Sequence, residues 1–138
     1  MLKSSGHTFP RSESLKSKKI SDRVFLEGAR VKSWPLVIRY LDVPLPEAVP
    51  CQVMVTVGKR SFKRAVDRNR IKRLMRESWR FQKEPFLLLL KKDEIQRAIV
   101  LSFVGQEMPT FETMSQNMAH LIQKMTAKLN SQSNNPTD

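Results

Sequence analysis

The stretch from residue 64 to residue 80 constrains this chain more than any other, because it has two chemically distinct sides at helical spacing. At about 100° per residue, one side is mainly apolar and the other is basic. The first side comprises Ile71, Leu74, Met75, Ser78 and Trp79. Such a side needs a hydrophobic core to pack against, so the pattern predicts a globular domain with this helix on its surface.

The opposite side of the predicted helix repeats one charge sign every four residues. This series consists of Arg64, Arg68, Lys72, Arg76 and Arg80. Like charges four residues apart repel each other in a helix. From Lys59 to Arg80 ten basic and two acidic residues leave a net charge of +8, out of +12 for the whole chain. This concentration predicts a polyanionic partner, and the planar guanidinium groups suit phosphate oxygens.

Composition supports a nucleic-acid-binding protein over the other classes. A pI near 10.4 with clustered charge is typical of nucleic-acid binding. An anionic membrane surface would also attract this charge, but the basic stretch lacks the broad apolar face of interfacial helices. No signal-peptide pattern and no apolar run of membrane-spanning length occurs, so we expect a cytoplasmic protein. The single Cys51 predicts a packing residue and no disulfide.

Periodicity and turn residues divide the chain into six main elements. They are a helix over 13–27, strands over 34–41 and 52–57, the basic helix, a strand over 97–104 and an amphipathic helix over 111–129. Gly28 predicts the end of the first helix. Apolar residues on both faces of 52–57 predict a strand in the middle of a sheet. The residues from 86 to 92 are compatible with either a short helix or a linker.

The order of these elements predicts an α+β protein, an α/β sandwich in which helices pack on a small central sheet of three to four strands. Residues 1–12 are predicted to be a flexible segment, 13–129 a single domain and 130–138 a disordered tail. A proline-rich connection over 42–50 is predicted to be a loop, because three prolines in nine residues disfavour regular structure.

The sequence offers no constellation for hydrolysis by the protein itself. A nuclease needs a general base, a cage of carboxylates for metal ions or a pair of histidines. His7 lies in the predicted flexible start, His120 lies in a predicted amphipathic helix, and the acidic residues are scattered. We therefore expect no catalytic residues and no metal ligands in this chain.

The basic stretch and its surroundings resemble the signature of the bacterial ribonuclease P protein family. The similarity rests on Ala65–Arg73 with its Arg68-Asn69-Arg70 core, on Arg76-Glu77 and on the preceding strand and basic pair, Val55–Arg60. It extends over roughly residues 8–125. The resemblance implies the order α-β-β-(β)-α-β-α, with a left-handed βαβ crossover.

The resemblance also implies a function. In this family the catalytic RNA subunit, with Mg²⁺, removes the 5′ leader of precursor tRNA, and the protein assists by binding that RNA and the leader. The implied partners are therefore the ribonuclease P RNA and precursor tRNA. We expect no cofactor bound by the protein itself, no membrane and no protein partner.

Individual site residues follow from the family motif. Those implied to contact the RNA subunit or the substrate backbone are Lys59, Arg60, Lys63, Arg64, Arg68, Asn69, Arg70, Lys72, Arg73 and Arg76. A cleft between the first helix and the sheet is implied to hold the single-stranded leader, with Phe25, Arg39 and Tyr40 as its candidate residues. This sequence departs from the family by having Ser21 where an aromatic residue is common, and Ser14 where an arginine is common.

Two other functions remain open at the level of sequence. A structural RNA-binding protein, such as a ribosomal protein, would carry a similar basic helix. It would not distinguish precursor tRNA from mature tRNA in the presence of the RNA subunit, whereas a ribonuclease P protein should. A free-standing nuclease would be active without any RNA subunit, and the missing acid–base and metal constellation argues against it.

Overall fold

A computed structural model describes residues 11–134, with side chains described as far as residue 129. A short 3-10 helix, Arg11–Glu13, comes first. The helices are α1 (Lys18–Glu27), α2 (Ala65–Gln82), α3 (Glu84–Lys92) and α4 (Phe111–Asn134). The strands are β1 (Ala29–Ser33), β2 (Leu36–Asp42), β3 (Cys51–Val57) and β4 (Arg97–Phe103). Of the predicted flexible segment 1–12, residues 1–10 with His7 lie outside the described residues, and of the predicted tail 130–138, residues 135–138 do.

The strands form one four-stranded sheet in the order β1-β2-β4-β3. β1 pairs with β2 and β2 with β4 in antiparallel orientation, whereas β3 and β4 run parallel. A parallel pair needs a long crossover connection, which α2 and α3 provide here. The α+β prediction is confirmed, with four strands. The handedness of the crossover stays a prediction.

The main core lies between one face of the sheet and helices α2, α3 and α4. From α2 it receives Ile71, Met75 and Trp79, all fully buried, so the predicted apolar side of the basic helix is confirmed. The methionines of α4 that repeat at helical spacing, including Met114 and Met118, are buried in the same core. Packing α2 by this side leaves its basic side facing outward.

The other face of the sheet is covered in part by α1. Val24 of α1 and the preceding Leu15 pack against Ala98 and Val100 of β4 in a second, smaller cluster. The helix begins later than the sequence predicts, because the Ser17 hydroxyl caps it by accepting a hydrogen bond from the Ile20 amide at 3.2 Å. Residues 13–17 therefore belong to no helix that continues into α1.

Gly28 ends α1 as predicted, and a glycine is required there because the position has no room for a side chain. Its amide donates to the Val24 carbonyl at 2.9 Å. A Cβ at this position would lie 2.5 Å from the Val24 oxygen and 2.7 Å from the Tyr40 oxygen. Only glycine therefore allows the chain to leave the helix this close to β2.

β3 lies at the edge of the sheet, so the prediction of a central position was wrong. Its alternate apolar residues from Cys51 to Val57 are buried in the main core, Met54 on the other face is half-buried, and the segment before α1 closes the outer edge of the strand. Ser14 forms an isolated parallel bridge with Val53, and the Leu15 amide donates to the Val53 carbonyl at 3.0 Å. Gln52 fixes the same segment, because its Nε2 donates to the Ser12 carbonyl at 2.8 Å. Arg11 and Ser12 were predicted to be flexible, whereas both lie in the 3-10 helix.

Three further boundaries differ from the sequence prediction. The predicted strand over 34–41 begins only at Leu36, as β2, and Trp34 and Pro35 form the turn of a hairpin in which β2 pairs with the unpredicted β1. The ambiguous segment over 86–92 is helical and belongs to α3, with Pro85 in the first turn, where its missing amide hydrogen is harmless. The last helix continues past its final apolar residue, Leu129, to Asn134.

Candidate nucleic-acid interface

The ten side chains implied to contact RNA lie on the loop after β3 and on α2. This set, called the basic surface below, consists of Lys59, Arg60, Lys63, Arg64, Arg68, Asn69, Arg70, Lys72, Arg73 and Arg76. All are exposed except Arg68 and Lys72, which are half-buried. The loop and the outer side of one helix therefore carry a continuous run of donors suited to phosphate oxygens.

Little of this positive charge is neutralised within the protein. In the part of the chain that the structure describes, one ion pair is found on this surface, between Arg64 Nε and Asp67 Oδ2 at 3.8 Å. Exposed pairs of this kind contribute little to folding stability. The basic surface therefore keeps a strong field that favours association with a polyanion.

Arg68 differs from the other members because it also holds the loop. Its Nη1 donates to the carbonyls of Phe62 and Lys63, at 2.7 and 2.8 Å. Phe62 is buried, and its ring lies 6.0 Å from that of Phe103 at the end of β4. The guanidinium group of Arg68 thus fixes the loop that presents the other basic side chains at the start of α2.

The middle of α2 has a concave surface. Asn69, Arg73, Arg76, Glu77 and Arg80 line a depression of about 280 Å³. Within the described residues no hydrogen bond engages the Asn69 side chain, so its amide can both donate and accept in this depression. Three guanidinium groups around one depression form a site that suits an anionic backbone.

Arg76 also connects the basic surface to the edge of β3 that Ser14 and Leu15 close. It lines a second depression of about 180 Å³ together with Ser14, Leu15 and residues 53–55 of β3. The basic surface therefore reaches the side of the sheet on which α1 lies. A nucleic acid bound along α2 could continue toward this side without leaving the protein.

The structure brings Phe25 and Arg39 together on the α1 side of the sheet. Phe25, near the end of α1, is 48% exposed, and Arg39 Cζ lies 5.4 Å from the centroid of its ring. An exposed aromatic ring with an adjacent guanidinium group is suited to stacking on a nucleobase.

Tyr40 does not join this cleft, contrary to the sequence expectation. Successive residues of a strand point to opposite faces of the sheet, so Arg39 and Tyr40 cannot share one. Tyr40 lies in the main core, is 7% exposed and carries the Arg97 guanidinium group 4.1 Å from its ring centroid. The alternation of the strand was the signal that separates the two residues.

The same alternation identifies two polar residues that the sequence expectation missed. Thr56 and Ser102 stand on adjacent strands on the α1 side of the sheet, and their hydroxyl oxygens lie 2.8 Å apart. Both are half-buried. Ser21, in contrast, is buried and its hydroxyl donates to the Lys18 carbonyl at 3.1 Å, so it contributes to the helix and not to the cleft surface.

The buried charges outside these surfaces form structural ion pairs. Lys83 Nζ lies 2.6 Å from Glu13 Oε1 and joins the end of α2 to the 3-10 helix. Arg97 binds Asp42 through two hydrogen bonds, at 2.6 and 3.2 Å. Across the described residues no group of three or more His, Cys, Asp or Glu side chains is placed to hold a metal ion. None of the described helices is long and apolar enough to cross a membrane.

Comparison with known sequences gives consistent matches. The family model described as Ribonuclease P matches residues 9–126. The Ribonuclease P protein component of Chlorobaculum tepidum is 33% identical over 128 residues, which cover 86% of this chain and 83% of that protein. That of Porphyromonas gingivalis is 34% identical over 108 residues, which cover 78% of this chain and 79% of the relative.

Solved structures match the fold at lower sequence identity. The RNase P protein of Staphylococcus aureus aligns with a TM-score of 0.65 and 18% identity, covering 83% of this chain and 96% of that one. The RNase P protein of Thermotoga maritima aligns with a TM-score of 0.61, also at 18% identity, covering 81% and 96%. The sequence matches thus show the family, and the structural matches show the fold.

Proposed function

The chain belongs to the ribonuclease P protein family, and we propose that it binds the catalytic RNA through the basic surface and the 5′ leader of precursor tRNA through the α1 side of the sheet. Members of this family are the protein part of an endoribonuclease, and the role of this chain is in tRNA 5′ maturation. The proposal concerns how its residues carry out that role. It places the protein in the cytoplasm, together with the precursor tRNA.

The observation that carries the proposal is the orientation of α2. Its apolar side is buried against the sheet, so the outward side presents the basic surface with almost no acidic partners. Each phosphate neutralised by such a surface releases condensed counterions, which favours binding and makes it sensitive to salt. A rigid helix anchored in the core holds these donors in fixed positions for RNA of defined shape.

The leader is proposed to cross the α1 side of the sheet. Phe25 can stack on an unpaired base, and Arg39 can bind a phosphate or stack on the same base. Thr56 and Ser102 offer hydroxyl groups that donate and accept hydrogen bonds. Stacking and hydroxyl contacts tolerate different bases, as binding to leaders of varied sequence would require.

We further propose that the protein leaves the chemistry to the RNA. Its basic side chains would reduce the repulsion between the RNA subunit and precursor tRNA. The phosphates of the two RNAs could then approach each other at a lower Mg²⁺ concentration, which favours the binding of Mg²⁺ at the RNA site. No side chain of this protein is assigned a step in the cleavage itself.

Cleavage of a 5′-extended precursor tRNA at low Mg²⁺ tests this function. The reaction is run with the protein alone, with ribonuclease P RNA alone and with both. We expect cleavage only when both are present. Cleavage by the protein alone would contradict the proposed role, and an RNA-only rate that the protein does not change would point to a structural RNA-binding protein.

A further inference from the structure

We propose that the C-terminal end of α2 carries a stacking site for one unpaired RNA base, formed by Phe81 and Phe111 beside Arg80. This inference rests on the proposed function, since it names a contact that the basic surface alone would not supply. Phosphate contacts hold any RNA strand, whereas an aromatic site selects a position where a base has left the helix. The occupant is therefore a bulged or single-stranded nucleotide of RNA.

Two aromatic rings from different elements meet at this end of the helix. Phe81 is 50% exposed and Phe111, the first residue of α4, is 40% exposed. Their ring centroids lie 6.4 Å apart, at an interplanar angle of 82°. The edge of one ring thus supports the face of the other, an arrangement that fixes both rings while leaving about half of each open to solvent.

Arg80 links this aromatic pair to the depression on α2. Its Cζ lies 4.9 Å from the centroid of the Phe81 ring, and the same side chain lines the depression with Arg73 and Arg76. The Arg80 Nε is buried and, within the described residues, has no hydrogen-bond acceptor. Phosphate binders and a stacking surface are therefore contiguous, as in proteins that bind unpaired nucleic acid.

Phe81 lies at the margin of the buried side of α2. It follows the buried Ser78 by three residues, which leaves the two side chains about 60° apart around the helix axis, and its ring meets Phe111 of α4. Half of the ring nevertheless remains exposed, and the Arg80 guanidinium group lies beside it. An exposed apolar ring beside a guanidinium group fits an RNA base, whose faces are apolar and whose backbone is anionic.

The test compares the dissociation constant of the complex with ribonuclease P RNA for variants that change only the ring. Phe81→Leu keeps apolar bulk but removes the aromatic face, whereas Phe81→Trp keeps it. Trp34→Leu is the matched control, because Trp34 is an exposed aromatic residue in the turn between β1 and β2. Melting temperatures establish that each variant is folded.

We expect Phe81→Leu to weaken binding about tenfold, the usual order for one stacked base, and Phe81→Trp to bind like the unaltered protein. The dependence of affinity on salt should not change for Phe81→Leu, because no phosphate contact is lost. Phe111→Leu should weaken binding in the same direction, and Trp34→Leu should have no effect.

An unchanged affinity for Phe81→Leu would overturn the inference, and so would equal losses for Phe81→Leu and Trp34→Leu. A substitution in the basic surface, Arg73→Ala, separates this failure from a failure of the proposed function. If Arg73→Ala weakens binding and Phe81→Leu does not, the stacking site alone is refuted. If neither substitution weakens binding, the RNA-binding role of α2 is refuted as well.

Discussion

Arg68 and Arg70 stand two positions apart on α2, yet the structure gives them different roles. Arg68 donates to two carbonyls of the loop before the helix, whereas the exposed side chain of Arg70 makes no hydrogen bond among the described residues. The sequence predicts both as RNA contacts and puts Arg68 at the border of the apolar side, but it cannot show what Arg68 binds, because its acceptors are backbone atoms placed by the fold. One arginine holds the surface together and the other is available to bind.

Replacing each arginine by alanine should distinguish these roles. Arg68→Ala removes two charge-assisted hydrogen bonds, so the free energy of unfolding should fall by about 1–3 kcal/mol. Arg70→Ala should leave that free energy within about 0.5 kcal/mol of its original value, as is usual for exposed positions. Urea denaturation of the free protein measures both. Equal effects of the two substitutions on stability would contradict the assignment.

Cys51 gives the stability of the protein a dependence on alkaline pH. Burial raises the pKa of its thiol, and the nearby Glu13 carboxylate raises it further. The unfolded chain ionises this thiol near about pH 8.5, so the full contribution of the buried thiol is present only below that value. Above it, and up to the raised pKa of the folded state, stability should fall by about 1.4 kcal/mol per pH unit.

The pH dependence of urea denaturation tests this expectation, with Cys51→Ala as the matched control. The substituted protein is less stable at neutral pH because it has a small cavity. It should, however, lose the part of the alkaline slope that belongs to the thiol. Identical slopes between about pH 8.5 and pH 10 for both proteins would show that Cys51 ionises as readily in the folded state as in the unfolded one.

At the scale of elements, α2 and α4 were predicted well because apolar and polar residues alternate along each of them with the 3.6-residue period of a helix. The errors occurred where contacts distant in sequence decide. β1 escaped prediction because Val31 is its one buried apolar residue. β3 was misplaced because its edge is closed by Ser14 and Leu15. Glu13 was predicted to begin the first helix, but it ends the separate 3-10 helix. There its carboxylate binds Lys83, which lies 70 residues away in the sequence.

The prolines predicted the loop between β2 and β3, but the sequence did not indicate which side chain fixes its conformation. Gln96 fixes this loop with three hydrogen bonds. Its Oε1 accepts from the Leu45 amide at 3.0 Å, and its Nε2 donates to the carbonyls of Glu47 and Val49 at 2.9 and 3.0 Å. One side chain thereby replaces the regular pairing that the prolines prevent.

Gln96→Ala should therefore loosen this loop without disturbing the basic surface. The amide of Leu45 would lose its acceptor, and the free energy of unfolding should fall by about 1–3 kcal/mol. Hydrogen exchange is expected to accelerate across residues 43–50 while α2 keeps its protection. Gln123→Ala, an exposed change on α4, is the control. Equal exchange in the two variants would refute the role given to Gln96.

At the scale of the whole molecule, charge is segregated. Residues 98–123 contain no lysine or arginine but two glutamates, Glu107 and Glu112, whereas residues 59–80 carry a net charge of +8. This asymmetry can be found in the sequence alone, because a charge run depends little on the fold. The sequence alone does not show where these charges lie in space. That the positive residues share one outward surface follows from the burial of the opposite side of α2 in the core. A molecule polarised in this way approaches a polyanion in a preferred orientation.

The central claim is that this basic surface binds the ribonuclease P RNA. The most direct test is the salt dependence of the dissociation constant for that RNA. The variant Arg70→Gln, Arg73→Gln, Arg76→Gln is compared with a control of equal net charge that carries three exposed substitutions elsewhere. The control substitutions are Lys91→Gln, Lys92→Gln and Lys128→Gln.

If the three arginines each contact a phosphate, the slope of log K against log salt should become shallower by about 2 to 3 in the variant. It should stay nearly unchanged in the control, because those lysines lie on α3 and α4. Equal slopes for the variant and the control would mean that net charge alone drives binding, and would contradict the assignment of the interface to α2.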